Sequence, residues 1–164
     1  MPPVRQFTTT YRNLPHWKQP GATYFLTCRV IGGRELEPED RAVALNAIRF
    51  WDGKRWAVYA AVVMPDHAHA LVRPLPLNLS DPAPIDFHDL SELTKSVKGF
   101  SSHAINRRRE RGGTLWQDEG YDRIVRDDRE LEETWTYILY NPVKAGLAET
   151  PDAYPWLYQA GRAD

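Results

Sequence analysis

The chain has 164 residues, 42% hydrophobic and 26% charged, with a formal net charge of −1. Such proportions are those of an ordinary globular protein, and no apolar run approaches the ~18–20 residues that span a bilayer, which points to a cytoplasmic protein with no membrane segment. The single Cys28 excludes an intrachain disulfide and a cysteine-rich zinc site.

The near-zero net charge argues against coating nucleic acid by bulk charge, but the charges are unevenly spread. Before Glu35 the chain carries Arg5, Arg12, Lys18, Arg29 and Arg34 and no acid. From Lys95 to Arg111 it carries Lys95, Lys98, Arg107, Arg108, Arg109 and Arg111 against Glu110 alone. Two basic segments on a neutral protein suit a polyanion groove, and they equally suit a solvated helix face.

Taken in order, residues 7–20 are rich in Thr, Pro and aromatics without periodicity and read as an extended basic arm. Residues 22–30 follow Gly21, are β-branched and aromatic, and predict a first strand. Pro38-Glu39-Asp40 has the form of a helix first turn, and Ala42, Val43, Leu45, Ala47, Ile48 and Trp51 continue it toward Gly53. Residues 56–63 form a second strand, joined by Met64-Pro65-Asp66 to a third that carries His67 and His69. The four prolines between Pro74 and Pro84 make a loop. A long helix is predicted from Phe87 to about Arg109, capped near Asp86; Leu115 to Gln117 with Tyr121 to Val125 gives a further strand. The last helix starts at Asp127-Asp128, with its end or a kink at Pro142, and the tail with Tyr154, Trp156 and Tyr158 packs down in part.

That order predicts an α+β fold, the ferredoxin-like β-α-β-β-α-β antiparallel sheet, with an additional C-terminal helix. The expected organisation is one domain over 1–164, with an arm over 1–20, a core over 21–147 and a tail over 148–164. The first and third strands form the central pair, so the histidine strand lies in mid-sheet.

On a strand His67 and His69 point to one side while Ala68, Ala70 and Val72 point to the other. Two imidazoles on one face suit two-point binding of a divalent ion, although His-x-His also occurs as a plain polar face. On the last helix Tyr137 and Asn141 are four apart and share a face. If that face meets the histidines, His67, His69 and Asn141 can hold Mg²⁺ or Mn²⁺ beside the Tyr137 hydroxyl, a candidate nucleophile for phosphoryl chemistry. Taken alone, Tyr137 is one more aromatic beside Trp135 and Tyr140.

Four stretches in order carry a resemblance: Gly21 to Thr27, Val63-Met64-Pro65-Asp66-His67-Ala68-His69, Leu115-Trp116-Gln117, and Tyr137 to Leu147 with its Asn141-Pro142-Val143-Lys144. Together they resemble the REP-associated tyrosine transposases, of the single-tyrosine HUH class, from about Leu14 to Leu147. The resemblance implies a metal-dependent endonuclease and strand transferase acting on single-stranded hairpin DNA. It makes His67 and His69 the metal pair, Asn141 the third ligand, and Tyr137 the nucleophile that forms a 5′-phosphotyrosine link. Arg5, Arg12, Lys18, Lys95, Lys98, Arg107 and Arg108 would position phosphates, and Trp17 would stack an unpaired base. Such relatives act as monomers or as homodimers. Two rivals stand beside this reading: a hairpin-DNA-binding module without turnover, and a metal-dependent nuclease in which water attacks in place of Tyr137.

Overall fold

The structure is a computed structural model, which describes residues 8–12, 14–118 and 120–161, with the backbone alone over 8–18 and at Tyr121. Its elements in chain order are β1 (Thr8–Arg12), β2 (Leu14–Lys18), β3 (Thr23–Arg29), α1 (Pro38–Arg49), β4 (Trp56–Val63), β5 (His67–Pro74), α2 (Leu90–Arg108), β6 (Tyr121–Val125), α3 (Asp128–Lys144), a 3₁₀ turn (Pro151–Ala153) and β7 (Leu157–Gln159). β3 to β7 form one antiparallel sheet in the order β6-β3-β5-β4-β7. The expected ferredoxin-like core is therefore present, with β3 and β5 its central pair.

Alternation along the strands sorts the core into two layers. Tyr24, Leu26, Ala68, Ala70 and Val72 turn to one face, where they bury Leu45 and Ile48 of α1 and Leu93, Val97 and Ile105 of α2. Phe25 and Leu71 turn to the other, against Ile138 of α3 and Tyr154 of the tail. A bulge between Val58 and Ala60 shifts the parity of β4, so that Val58 and Ala61 face the helix pair while Ala60 and Val62 face α3.

Four local readings are revised. The arm contains a β-hairpin, with Thr8 opposite Lys18 and Arg12 opposite Leu14; cross-strand pairing, not side-chain alternation, makes it, and β2 lies near β6. The long helix begins three residues later than predicted, because 86–88 pair with the chain at 75–77: the Leu77 amide donates to the Asp86 carbonyl (3.0 Å) and that of His88 to Leu75 (3.0 Å). Asp89, not Asp86, caps it, accepting from the Glu92 amide at 3.1 Å. Leu115 to Gln117 lies apart from β6 and runs beside the end of β3, with the Ile31 amide donating to Leu115 (2.8 Å) and the Gln117 amide to Arg29 (2.8 Å). The tail supplies a fifth strand, β7, on the free edge of β4, and Tyr154 is fastened there by its hydroxyl, which donates to the Val63 carbonyl at 2.7 Å. Among the described residues no helix is long and apolar enough to cross a membrane.

Candidate functional site

The turn that presents the histidines is held from two sides. The Met64 amide donates to the His67 carbonyl (2.7 Å) and closes the β4–β5 hairpin. The loop after β3 grips the same turn, with the Val30 amide on the Asp66 carbonyl (2.9 Å) and the Leu36 amide on that of Pro65 (2.7 Å). His67 therefore starts its strand from a fixed point, and pairing places it opposite Arg29 while His69 lies opposite Thr27.

Both imidazoles are oriented through Nδ1. That of His67 lies 2.6 Å from Asp66 Oδ1; a carboxylate only accepts, so Nδ1 carries a proton, and in the neutral tautomer this bond selects, Nε2 is the lone-pair donor. This bond holds the Asp66 carboxyl below its ordinary range, against the opposing effect of burial. His69 Nδ1 lies 2.9 Å from Thr27 Oγ1, and with the proton donated to that hydroxyl its Nε2 is equally open. Burial, helped by the neighbouring His67, lowers the His69 pKa to about 4 and keeps the ring neutral, the form that binds metals. The two ring centres are 4.7 Å apart.

α3 brings the tyrosine. Its first turn is set by Asp127, which accepts from the Glu130 amide at 2.8 Å, and its buried side holds Thr134, Ile138, Leu139 and Pro142 against the sheet. Tyr137 falls on the border of that face and is 43% exposed, enough for its hydroxyl to be reached. Its ring stands 5.5 Å from that of His69 and edge-on to Phe25 at 5.9 Å, while Phe25 itself stacks on His69 at 5.1 Å. Asn141 is half-buried one turn further along the same helix face, and the Lys144 ammonium lies 5.9 Å from the Tyr137 ring centre. The structure thus gathers His67, His69 and Tyr137, with Asn141 following on the tyrosine's own stripe.

The donor set fits a divalent cation held at two points. Two imidazoles, each fixed at Nδ1 by an outer partner, are preorganised ligands. No cluster of three or more His, Cys, Asp or Glu exists among the described residues, so the remaining positions would fall to the Asn141 amide, water and substrate oxygen.

The DNA-contact residues expected from sequence are scattered. Arg5 lies outside the described residues, as do the side chains of Arg12, Trp17 and Lys18, whose backbone forms the β1–β2 hairpin. The other four sit on α2, which covers the sheet face opposite the histidines. There Lys95 and Arg107 are exposed, but Lys98 Nζ donates to the carbonyls of Gln117 (2.9 Å) and Asp118 (3.3 Å), tethering the chain that leads to β6. Arg108 donates to Asp40 Oδ1 (2.7 Å) and Glu37 Oε2 (2.6 Å), which fastens α2 to the start of α1.

On the histidine face the structure adds two cations that are not among the phosphate contacts expected from the sequence, although Arg29 belongs to the first basic segment. Arg123, opposite Phe25 in the β3–β6 register, lines an open groove of about 500 Å³ beside Tyr137 with Glu130, Glu133 and Thr134. Arg29 stands opposite His67. Arg29 shares the odd parity of Phe25 and Thr27 along β3, a signal present in the sequence, whereas Arg123 is placed on the site face by its pairing with Phe25 across β3 and β6.

No family model matches the chain. A Haemophilus influenzae protein named "Putative REP-associated tyrosine transposase" is 33% identical over 98 residues, 59% of this chain and 55% of that protein, so the chain spans just over half the length of this curated relative. A solved structure described as a REP-associated tyrosine transposase bound to a REP hairpin superposes with a TM-score of 0.67 at 22% identity, covering 92% of this chain and 82% of that one. The resemblance drawn from the four motifs is thereby upheld: in sequence over part of its length and in fold over nearly all of it, this chain is similar to the REP-associated tyrosine transposases.

Proposed function

We propose that this protein is a metal-dependent single-stranded DNA endonuclease and strand transferase that cleaves hairpin DNA through a 5′-phosphotyrosine link at Tyr137. The observation that carries the reading is the approach of the Tyr137 ring to within 5.5 Å of His69 inside one chain, with the phenol exposed to a substrate. The hairpin in the related solved structure supports the choice of partner.

In this reading the Tyr137 oxygen attacks phosphorus, forming a P–O bond to tyrosine as the bond to the 3′-oxygen breaks. The phenolic proton passes to water, and the departing 3′-oxygen takes one from water. The link keeps the phosphodiester's energy, so rejoining by another 3′-hydroxyl needs no ATP. Mg²⁺ or Mn²⁺, held by His67, His69 and Asn141, would supply Lewis-acid polarisation of a phosphodiester oxygen. Thr27 and Asp66 hold the imidazoles in place, and Phe25 sets the floor between His69 and Tyr137.

The test is a labelled single-stranded hairpin from the DNA flanking this gene, incubated with the protein and Mn²⁺ and run in SDS. An adduct lost in Tyr137→Phe, in His67→Ala and with EDTA is the expected result. Cleavage without an adduct would mean that water attacks. Tight, metal-independent binding with neither product would mean a binding module.

A further inference from the structure

Arg29 has no role in the reading above, yet its position is specific. It is exposed, it faces His67 directly across the β3–β5 pair, and no described residue is bonded to its guanidinium. Its charge is felt by both Asp66 and His69. Beyond it lies an open groove of about 520 Å³ walled by Gly32, Gly33, Arg34, Glu35, Asp66 and Gln117.

The groove has the character of a nucleotide site. Arg34 donates from its guanidinium to the carbonyls of Thr114 (3.1 Å) and Gly112 (3.2 Å), which place a second positive charge at the groove. Glu35 and Asp66 balance the two arginines, which suits one phosphate with a hydrogen-bonding base more than a dense polyanion. Gly32 leaves the wall bare although nothing in the protein demands it: its φ is not positive, and a Cβ there would meet no atom within 4 Å.

Direction follows from the chemistry. Tyr137 stands against His69, His69 against His67, and His67 across from Arg29, so the nucleophile and the groove lie at opposite ends of the histidine pair. Phosphoryl transfer keeps the attacking and leaving oxygens roughly in line, which sends the leaving strand away from the tyrosine. We propose that Arg29 and the groove behind it bind the nucleotide on the 5′ side of the cleaved bond and retain the 3′-hydroxyl strand for rejoining. Arg29 would grip that nucleotide's own 5′ phosphate through paired N–H donors. This rests on the tyrosine reading of the preceding subsection.

The test uses the full chain and the same labelled hairpin oligonucleotide, with the cleaved bond located from the length of the released fragment. Arg29→Ala should weaken binding roughly tenfold and lower the salt slope by about one, while Arg29→Lys recovers part of the loss. A neutral methylphosphonate at the phosphate one nucleotide 5′ of the cleaved bond should weaken the wild-type protein equally and cost Arg29→Ala nothing further. Below saturation the Arg29→Ala adduct should build up more slowly, in step with the weaker binding, and addition of EDTA after cleavage should release its 3′-hydroxyl strand faster. A normal wild-type adduct together with unchanged Arg29→Ala binding, or additive losses from the mutation and the methylphosphonate, overturns the Arg29 assignment alone. Absence of any wild-type adduct overturns the tyrosine reading and this assignment with it.

Discussion

Asp40 is fully buried at the first turn of α1, and its removal tests whether the basic end of α2 is a fastening or a DNA contact. Its carboxylate accepts from Arg108 (Nε 3.1 Å, Nη2 2.7 Å), from Arg109, and from the Glu37 amide (2.8 Å) that begins the helix. Burial alone would raise its pKa, but the bonds from Arg108, Arg109 and the Glu37 amide outweigh this and hold it below the ordinary carboxylate range. Asp40→Ala removes the acceptor of the Glu37 amide, one half of the capping box, and leaves Arg109, whose side chain is only 12% exposed, beside an empty space. Removing one member of a buried ion pair costs about 3–5 kcal/mol, chiefly by stranding the other charge. At roughly 2–4 °C per kcal/mol for a chain of this size, Tm should fall by about 6–20 °C. A carboxylate with a depressed folded pKa stabilises fully above its unfolded value near ~4, and the contribution is lost as pH falls through the lower folded value. The gap between wild type and Asp40→Ala should therefore be constant near neutrality and close in acid. Thermal melting across pH checks this, with hairpin binding measured on Arg108→Ala in parallel. A melting point unmoved by Asp40→Ala, or weaker DNA binding by an Arg108→Ala protein that melts normally, would refute the fastening role.

Thr27→Val replaces the hydroxyl that orients His69 with a methyl of the same shape, so Mn²⁺ affinity should fall about 10–100-fold by titration calorimetry with little change in melting. His69, with its pKa lowered from 6.5 to about 4, should show imidazole NMR shifts that stay flat on acidification until pH nears 4. Because the unfolded ring binds a proton first, His69 stabilises the fold above about 6.5 and that contribution declines as pH falls toward about 4, a loss His69→Gln should lack. Tyr154→Phe deletes the donor to the buried Val63 carbonyl and should cost about 1–2 kcal/mol in denaturant melts, loosening the tail from β4. Retention of wild-type stability there would mean that packing alone holds the tail.

The sequence by itself determined the order of the core elements, because strand alternation, helix stripes and turn residues are local signals. It also determined that His67 and His69 share a face and that Tyr137 and Asn141 share a helix stripe, since side-chain period is a property of each element alone. It did not determine which faces meet. That α3, rather than α1 or α2, covers the histidine side follows from the packing of Ile138 and Tyr154 on Phe25 and Leu71, contacts far apart in the chain. Composition likewise could not separate a phosphate-binding arginine from a structural one. Arg108 and Asp40 meet across 68 positions, and Lys98 is used up on two carbonyls, whereas Arg29 stands open beside His67 only because β3 pairs with β5 in one register. Local patterning fixes what each element presents, and long-range pairing decides which charges are neutralised and which are left for a ligand.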